Sequence, residues 1–164
     1  MNSVDRLNTR IAQTIRWLAL VMALVTLSVV VLRYAFAIGI IPMQESIIYM
    51  HGILFMLGIP YGLLQNSHVR VDLIYSRLNP RAQDRIDIAG HILFLLPIAV
   101  YIFVTSLPYV AASWRVLEGS AEVGGIPGIF LLKTLIPVMA VLLFLQGLSE
   151  IAKRLRKQVD QRPA

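Results

Sequence analysis

The sequence contains no cysteine and few charged residues. Without cysteine, disulfide bonds, cysteine-ligated zinc, iron–sulfur clusters and thiol nucleophiles are excluded. Charged residues make up 15% of the 164 residues, against about 25% in a soluble domain. Hydrophobic residues make up 57%, too large a share for a disordered chain. This composition predicts an integral membrane protein that forms a single domain over residues 1–164.

The net charge of +6 raises the question of a nucleic-acid partner. The basic segments lack the interleaved aromatic residues that stack on bases, so no nucleic acid is predicted. Basic residues in cytoplasmic loops and contacts with membrane lipids explain the charge instead.

Four apolar stretches are long enough to cross a bilayer as helices. They cover about residues 17–36, 46–66, 88–114 and 126–149, and about 20 helical residues span the hydrocarbon layer. Period-two alternation is absent, which argues against a membrane β-barrel. The predicted fold is therefore all-α, with four transmembrane helices and a tail over 150–164. Apolar residues at helical spacing between arginines predict an amphipathic interfacial helix over residues 1–16.

The lysines and arginines predict the orientation. Twelve of the 15 lie before the first stretch, between the second and third, or after the fourth. Because cytoplasmic segments are enriched in these residues, both termini are expected inside the cell.

The histidines and acids give little support for catalysis or autonomous transport. His51 and His91 lie at opposite depths, so they are not expected to ligate one haem, and neither a metal nor a cofactor is predicted. His51 is interpreted as hydrogen-bonded within the bundle or facing a partner helix, in preference to a metal or proton-relay role. The first span has no acid, which argues against a proton-coupled exporter.

Two regions at the outer ends of the spans are candidate contact sites. Arg33 and Glu45 close the first span and open the second, so they could pair with each other or contact a partner protein. The segment containing Glu118, Gly124, Gly125 and Pro127 lies between spans three and four. It is interpreted either as a contact loop or as a tight turn.

Several motifs together resemble a known family. Val31–Tyr34 closes the first span, His68–Leu73 follows the second, and Trp114–Gly128 precedes the fourth. Their order and spacing are similar to the small membrane subunit of tripartite ATP-independent periplasmic (TRAP) transporters, over about residues 15–155.

The resemblance implies a non-enzymatic accessory subunit in the bacterial inner membrane. Its expected partners are a large sodium-coupled permease subunit and a periplasmic solute-binding protein that delivers an organic acid or similar solute. It implies no cofactor and no sodium or substrate ligands in this chain. An autonomous four-helix transporter is the main alternative, and a membrane redox subunit is a third. The candidate interface or structural residues are Arg33, Glu45, His51, Arg70, Asp72, Glu118, Gly124, Gly125 and Pro127.

Overall fold

The computed structural model describes residues 2–65 and 78–160. Within these ranges it has four long helices and no strand: α1 (Ser3–Phe36), α2 (Ile41–Leu64), α3 (Pro80–Arg115) and α4 (Ile129–Asp160). Each is long and apolar enough to cross a membrane. The prediction of an all-α chain with four candidate spans is confirmed.

The N-terminal segment is not a separate helix. Helix α1 runs without a break from Ser3 to Phe36, and its 34 residues extend over about 50 Å. Residues before Trp17 therefore prolong the first span, and their placement at the membrane surface stays a prediction. The helix ends where Ala37 adopts a left-handed conformation with φ of 56°, as at many helix C-termini.

The other helices extend beyond the predicted apolar stretches at several ends. Helix α2 begins at Ile41 rather than near residue 46, with Pro42 in its first turn, where the missing N–H is no loss. Helix α3 begins at Pro80, and the Asn79 side chain caps it by accepting a hydrogen bond from the Ala82 amide at 2.7 Å, a common role for asparagine directly before a proline in the first helical position. Helix α4 begins at Ile129 and continues through most of the predicted tail.

Helix α3 contains one wider turn. The segment His91–Leu95 is π-helical, and the Leu96 amide donates to the His91 carbonyl five residues back. Pro97 follows directly. A proline ring collides with the carbonyl four residues before it and has no N–H to donate, and a π-turn is a known way of absorbing such a defect.

The helices form a bundle in which α2 packs against both α1 and α4, and α4 packs against α3. A small core of Leu63, Ala99, Met139 and Leu143 lies between α2, α3 and α4. Most other large apolar side chains are exposed. This distribution suits a membrane protein, because lipid tails cover apolar side chains as well as a protein core does.

Candidate functional site

The loop between α3 and α4, residues 116–128, is fastened by Glu45 to the second turn of α2. The Glu45 carboxylate accepts hydrogen bonds from the Ser120 hydroxyl and, at 2.6 Å, from the Ile126 amide. The Ser120 hydroxyl also accepts from the Glu122 amide at 3.0 Å. One acid therefore connects both limbs of the loop. We refer to Glu45, Ser120, Gly125 and Ile126 as the outer-loop cluster.

Two positions of this loop, 124 and 125, require glycine for different physical reasons. A side chain at Gly125 would place its Cβ 2.3 Å from Ser120 Oγ and 2.6 Å from Glu45 Oε2, so only glycine fits there. Gly124 has a φ of 80° and open space around it, which makes it a requirement of backbone conformation. Pro127 is exposed shortly before α4.

Glu118 holds the start of the same loop against α4. Its carboxylate lies 2.5 Å from Lys133 Nζ, and its backbone carbonyl accepts from the Phe130 amide at 3.3 Å. The hydrogen bond from Lys133 lowers the pKa of Glu118 below its usual range. The Lys133 ammonium also lies 4.2 Å from the centre of the Tyr109 ring. Sequence reasoning missed Lys133 as a partner, although a single lysine one turn inside an apolar span was the signal.

The predicted ion pair between Arg33 and Glu45 is wrong. Glu45 is directed to the loop, whereas Arg33 is exposed at the end of α1. Among the ion pairs of residues 2–65 and 78–158, none includes Arg33.

His51 lies on an exposed face of α2 and stacks on Phe55, with ring centres 6.1 Å apart and an angle of 13°. The structure favours the outward-facing interpretation over a hydrogen bond inside the bundle. Two further candidates, Arg70 and Asp72, lie outside the described residues.

A buried polar network joins the start of α1 to the end of α4, and sequence reasoning missed it. Gln146 is fully buried; its amide oxygen accepts from Asn8 Nδ2 at 2.8 Å. Its amide nitrogen donates to Asp5 Oδ1 at 3.1 Å and to Glu150 Oε1 at 2.9 Å. The sequence signals were the spacing of Asp5 and Asn8 by three and of Gln146 and Glu150 by four, which places each pair on one helix face.

Lys153 supplies the positive charge of this network. Its ammonium lies 3.1 Å from Asp5 Oδ1 and 2.5 Å from Glu150 Oε1. Asp5 and Glu150 are both buried, and buried charges require such pairing. The terminal cluster, defined as Asp5, Asn8, Gln146, Glu150 and Lys153, therefore fastens the first turns of α1 to the second half of α4.

The acidic start of α3 is held to α4 in a similar way. Arg154 Nη1 lies 3.2 Å from Asp84 Oδ1 and 2.5 Å from Asp87 Oδ2, and Lys157 lies 3.5 Å from Asp84. These contacts join the helices at the same end of the bundle as the terminal cluster.

Several hydroxyls between these two ends are occupied locally, whereas the buried Nε2 of His91 has no hydrogen-bond partner among the described residues. The hydroxyls of Thr26, Ser28, Thr105 and Ser106 each donate to a carbonyl of their own helix. In the described ranges, no group of three or more His, Asp or Glu residues is arranged to hold a metal ion. The contacts described above therefore brace the outer loop and hold α1 and α3 to α4.

Comparison with known families identifies the class of protein. The family model described as "Tripartite ATP-independent periplasmic transporters, DctQ component" matches residues 5–157. No curated protein and no solved structure matches the chain. The family match includes all of the outer-loop cluster and the terminal cluster, and it confirms the resemblance found in the sequence. The chain therefore belongs to the DctQ family, the small permease component of TRAP transporters.

Proposed function

We propose that this chain is the accessory membrane subunit of a sodium-driven importer of an organic acid or similar solute. In this role it packs beside and supports a large permease subunit, and a periplasmic binding protein delivers the solute. Membership of the DctQ family supports the transporter class, and this family is a transporter component rather than an enzyme family.

One structural observation carries the accessory role. In the described ranges, the hydrogen bonds and ion pairs that join separate elements lie at two opposite ends of the bundle, where they fasten the outer loop and hold α1 and α3 to α4. Hydroxyls at intermediate depth bond within their own helices. A transport route needs polar groups directed into a cavity near the middle of the membrane, so these contacts favour a supporting subunit over an autonomous four-helix transporter.

The proposed orientation places both termini in the cytoplasm of a bacterium and the outer-loop cluster in the periplasm. The distribution of lysine and arginine supports it. The loop over residues 116–128 then faces the compartment of the binding protein, with Glu45, Glu118, Gly125, Gly124 and Pro127 shaping it.

Arg33 and His51 are proposed as contacts with the large subunit. Both are exposed, and a polar group on the outside of a membrane helix is costly unless another protein or the interface accommodates it. Arg33→Gln should reduce co-purification of the large subunit. Arg6→Gln is the matched control, because Arg6 is an exposed arginine at the other end of the same helix. Equal yields from the two variants would contradict the contact.

The decisive experiment is uptake in proteoliposomes that contain this chain alone, the large subunit alone, or both. The binding protein is added in its ligand-loaded form, after its ligand has been found by thermal-shift screening of organic acids. Uptake under an inward sodium gradient is expected only when both membrane subunits are present. Uptake by this chain alone would overturn the proposal and favour the autonomous transporter.

A further inference from the structure

A groove between α1 and α2 has a polar end and an apolar end. It has a volume of about 340 Å³, and Gln13, Arg16 and Tyr61 lie at one end while Leu54 and Gly58 extend it along α2. This volume is within the usual range of about 300–1,000 Å³ for small-molecule sites.

The depth of the groove matches the boundary between headgroups and acyl chains. Arg16 directly precedes the predicted span 17–36, which is free of charge as far as Leu32 and just long enough to cross the hydrocarbon layer. Leu54 lies seven residues before Tyr61 on α2, so it lies about 10 Å deeper. The polar end therefore lies at headgroup level and the apolar end lies in hydrocarbon.

The polar end offers unused hydrogen-bond donors. No described carboxylate forms an ion pair with Arg16, whose guanidinium carbon lies 5.4 Å from the centre of the Trp17 ring. A guanidinium stacked on an aromatic ring keeps its N–H groups for a phosphate, which its fork shape matches. The Tyr61 hydroxyl accepts from Gln65 Nε2 at 3.0 Å, and its own proton remains available to a second acceptor.

The apolar end is open at a glycine. A Cβ added at Gly58 would meet nothing within 4 Å, and the same holds for Gly62 one turn away. Packing inside this chain therefore does not require glycine at position 58, and a larger side chain there would enter the groove without disturbing the bundle.

We infer that this groove binds one anionic phospholipid, with the phosphate on Arg16 and Tyr61 and the upper part of an acyl chain along Leu54 and Gly58. Charge complementarity selects a lipid over a transmembrane helix, because the headgroup supplies an anion that no carboxylate of residues 2–65 and 78–158 provides to Arg16. The inference is independent of the proposed function.

Native mass spectrometry of the full chain in detergent tests the site. Phosphatidylglycerol is titrated against phosphatidylcholine, and glycerol 3-phosphate serves as a probe of the headgroup alone. The wild-type chain should retain phosphatidylglycerol preferentially. Arg16→Gln should weaken that binding about tenfold, the usual effect of losing a hydrogen bond to a charged group. Arg10→Gln, which removes an exposed arginine two turns away, should not.

A second variant pair tests the apolar end. Gly58→Leu should reduce phosphatidylglycerol binding, whereas Gly62→Leu, at a glycine with equally open surroundings, should leave it near the wild-type value. Circular dichroism and elution volume check that each variant is folded. The lipid preference is measured on the wild-type chain, so that part of the test does not depend on the folding of any variant.

Five results would overturn the inference. Equal retention of the two lipids, or equal loss in the Arg16 and Arg10 variants, would indicate general charge attraction. Competition by glycerol 3-phosphate at equal concentration would indicate a small-anion site. Wild-type binding by Gly58→Leu would place the lipid elsewhere. A protein helix would fill the groove if two results came together: the complex with the large subunit carries no phospholipid, and Gly58→Leu fails to assemble with that subunit.

Discussion

Gly125→Ala should release the outer loop from α2 while leaving the bundle folded. The added Cβ would lie 2.3 Å from Ser120 Oγ and 2.6 Å from Glu45 Oε2, where ordinary contacts begin at 3.4 Å. Ser120, whose Cβ would also lie 2.5 Å away, and the Glu45 carboxylate must therefore both move by about 1 Å, which is enough to break a hydrogen bond.

The expected cost follows from the bonds that are lost. The Glu45 carboxylate accepts one hydrogen bond from Ser120 and one from the Ile126 amide. Each bond to a charged acceptor contributes about 1.5–3 kcal/mol when buried. Both groups are only half-buried, so water replaces part of this contribution. We expect a loss of about 2 kcal/mol, which corresponds to a roughly 30-fold increase in loop opening.

Hydrogen–deuterium exchange of the detergent-solubilised chain measures this opening directly. The Ile126 amide should exchange roughly 30-fold faster in Gly125→Ala, since its acceptor is displaced. Gly39→Ala is the matched control, because Gly39 lies in the other outer connection and a Cβ there meets nothing within 4 Å. Amides within the core of α4 should be unchanged in both variants.

A second measurement separates the contact from general strain. In a Glu45→Ala background the main acceptor is already absent, so Gly125→Ala should accelerate exchange much less. Wild-type protection of Ile126 in Gly125→Ala, or equal effects in both backgrounds, would refute the role assigned to Glu45.

Three further predictions concern the terminal cluster, the loop and the orientation. Gln146→Leu should lower the free energy of unfolding in detergent by about 2 kcal/mol, because it removes two hydrogen bonds to α1 and one to Glu150, at about 0.6 kcal/mol or more each. A loss below about 0.5 kcal/mol would contradict this prediction. The hydrogen bond from Lys133 lowers the pKa of Glu118, so the protease resistance that this bond gives the loop should be complete above pH 4.5, the ordinary pKa of a glutamate, and should disappear as the pH falls through the lowered pKa. Glu118→Gln should remove this acid dependence, and an unchanged pH profile in that variant would contradict the prediction. Reporter fusions after Gly119 should indicate the periplasm and fusions after Asn79 the cytoplasm, and the inverse pattern would contradict the proposed orientation.

Local signals predicted most of the helical architecture. Asn79 and Pro80 favour a helix start through contacts within a single turn, and α3 begins at Pro80 with Asn79 as its cap. The apolar stretches predicted four spans because hydrocarbon thickness sets their length. The predicted start at residue 46 was late because the count of apolar residues stopped at Glu45. A carboxylate near the start of a helix does not interrupt it when a loop supplies hydrogen-bond donors to that carboxylate.

Contacts between distant segments were beyond local reasoning. The partners of Glu45 lie 75 and 81 residues away, whereas chain proximity suggested Arg33. Asn8 and Gln146 are separated by 138 residues, and neither sequence position reveals which helix face meets the other. Helical spacing identifies a face, but only packing decides its neighbour.

The π-turn of α3 makes one residue of this helix dispensable for the orientation of its faces. A π-turn takes up one residue more than an α-turn, so the segments before and after it keep the relative orientation of a regular helix that is one residue shorter. Before the turn Asp84 meets Arg154 of α4, and after the turn Ala99 enters the core against the same helix. Deleting one residue within His91–Leu95 should therefore restore a regular helix and keep both contacts, whereas the same deletion elsewhere between Asp84 and Ala99 would rotate one contact by about 100° away from α4. Changes of length in this part of α3 should therefore be confined to the π-turn.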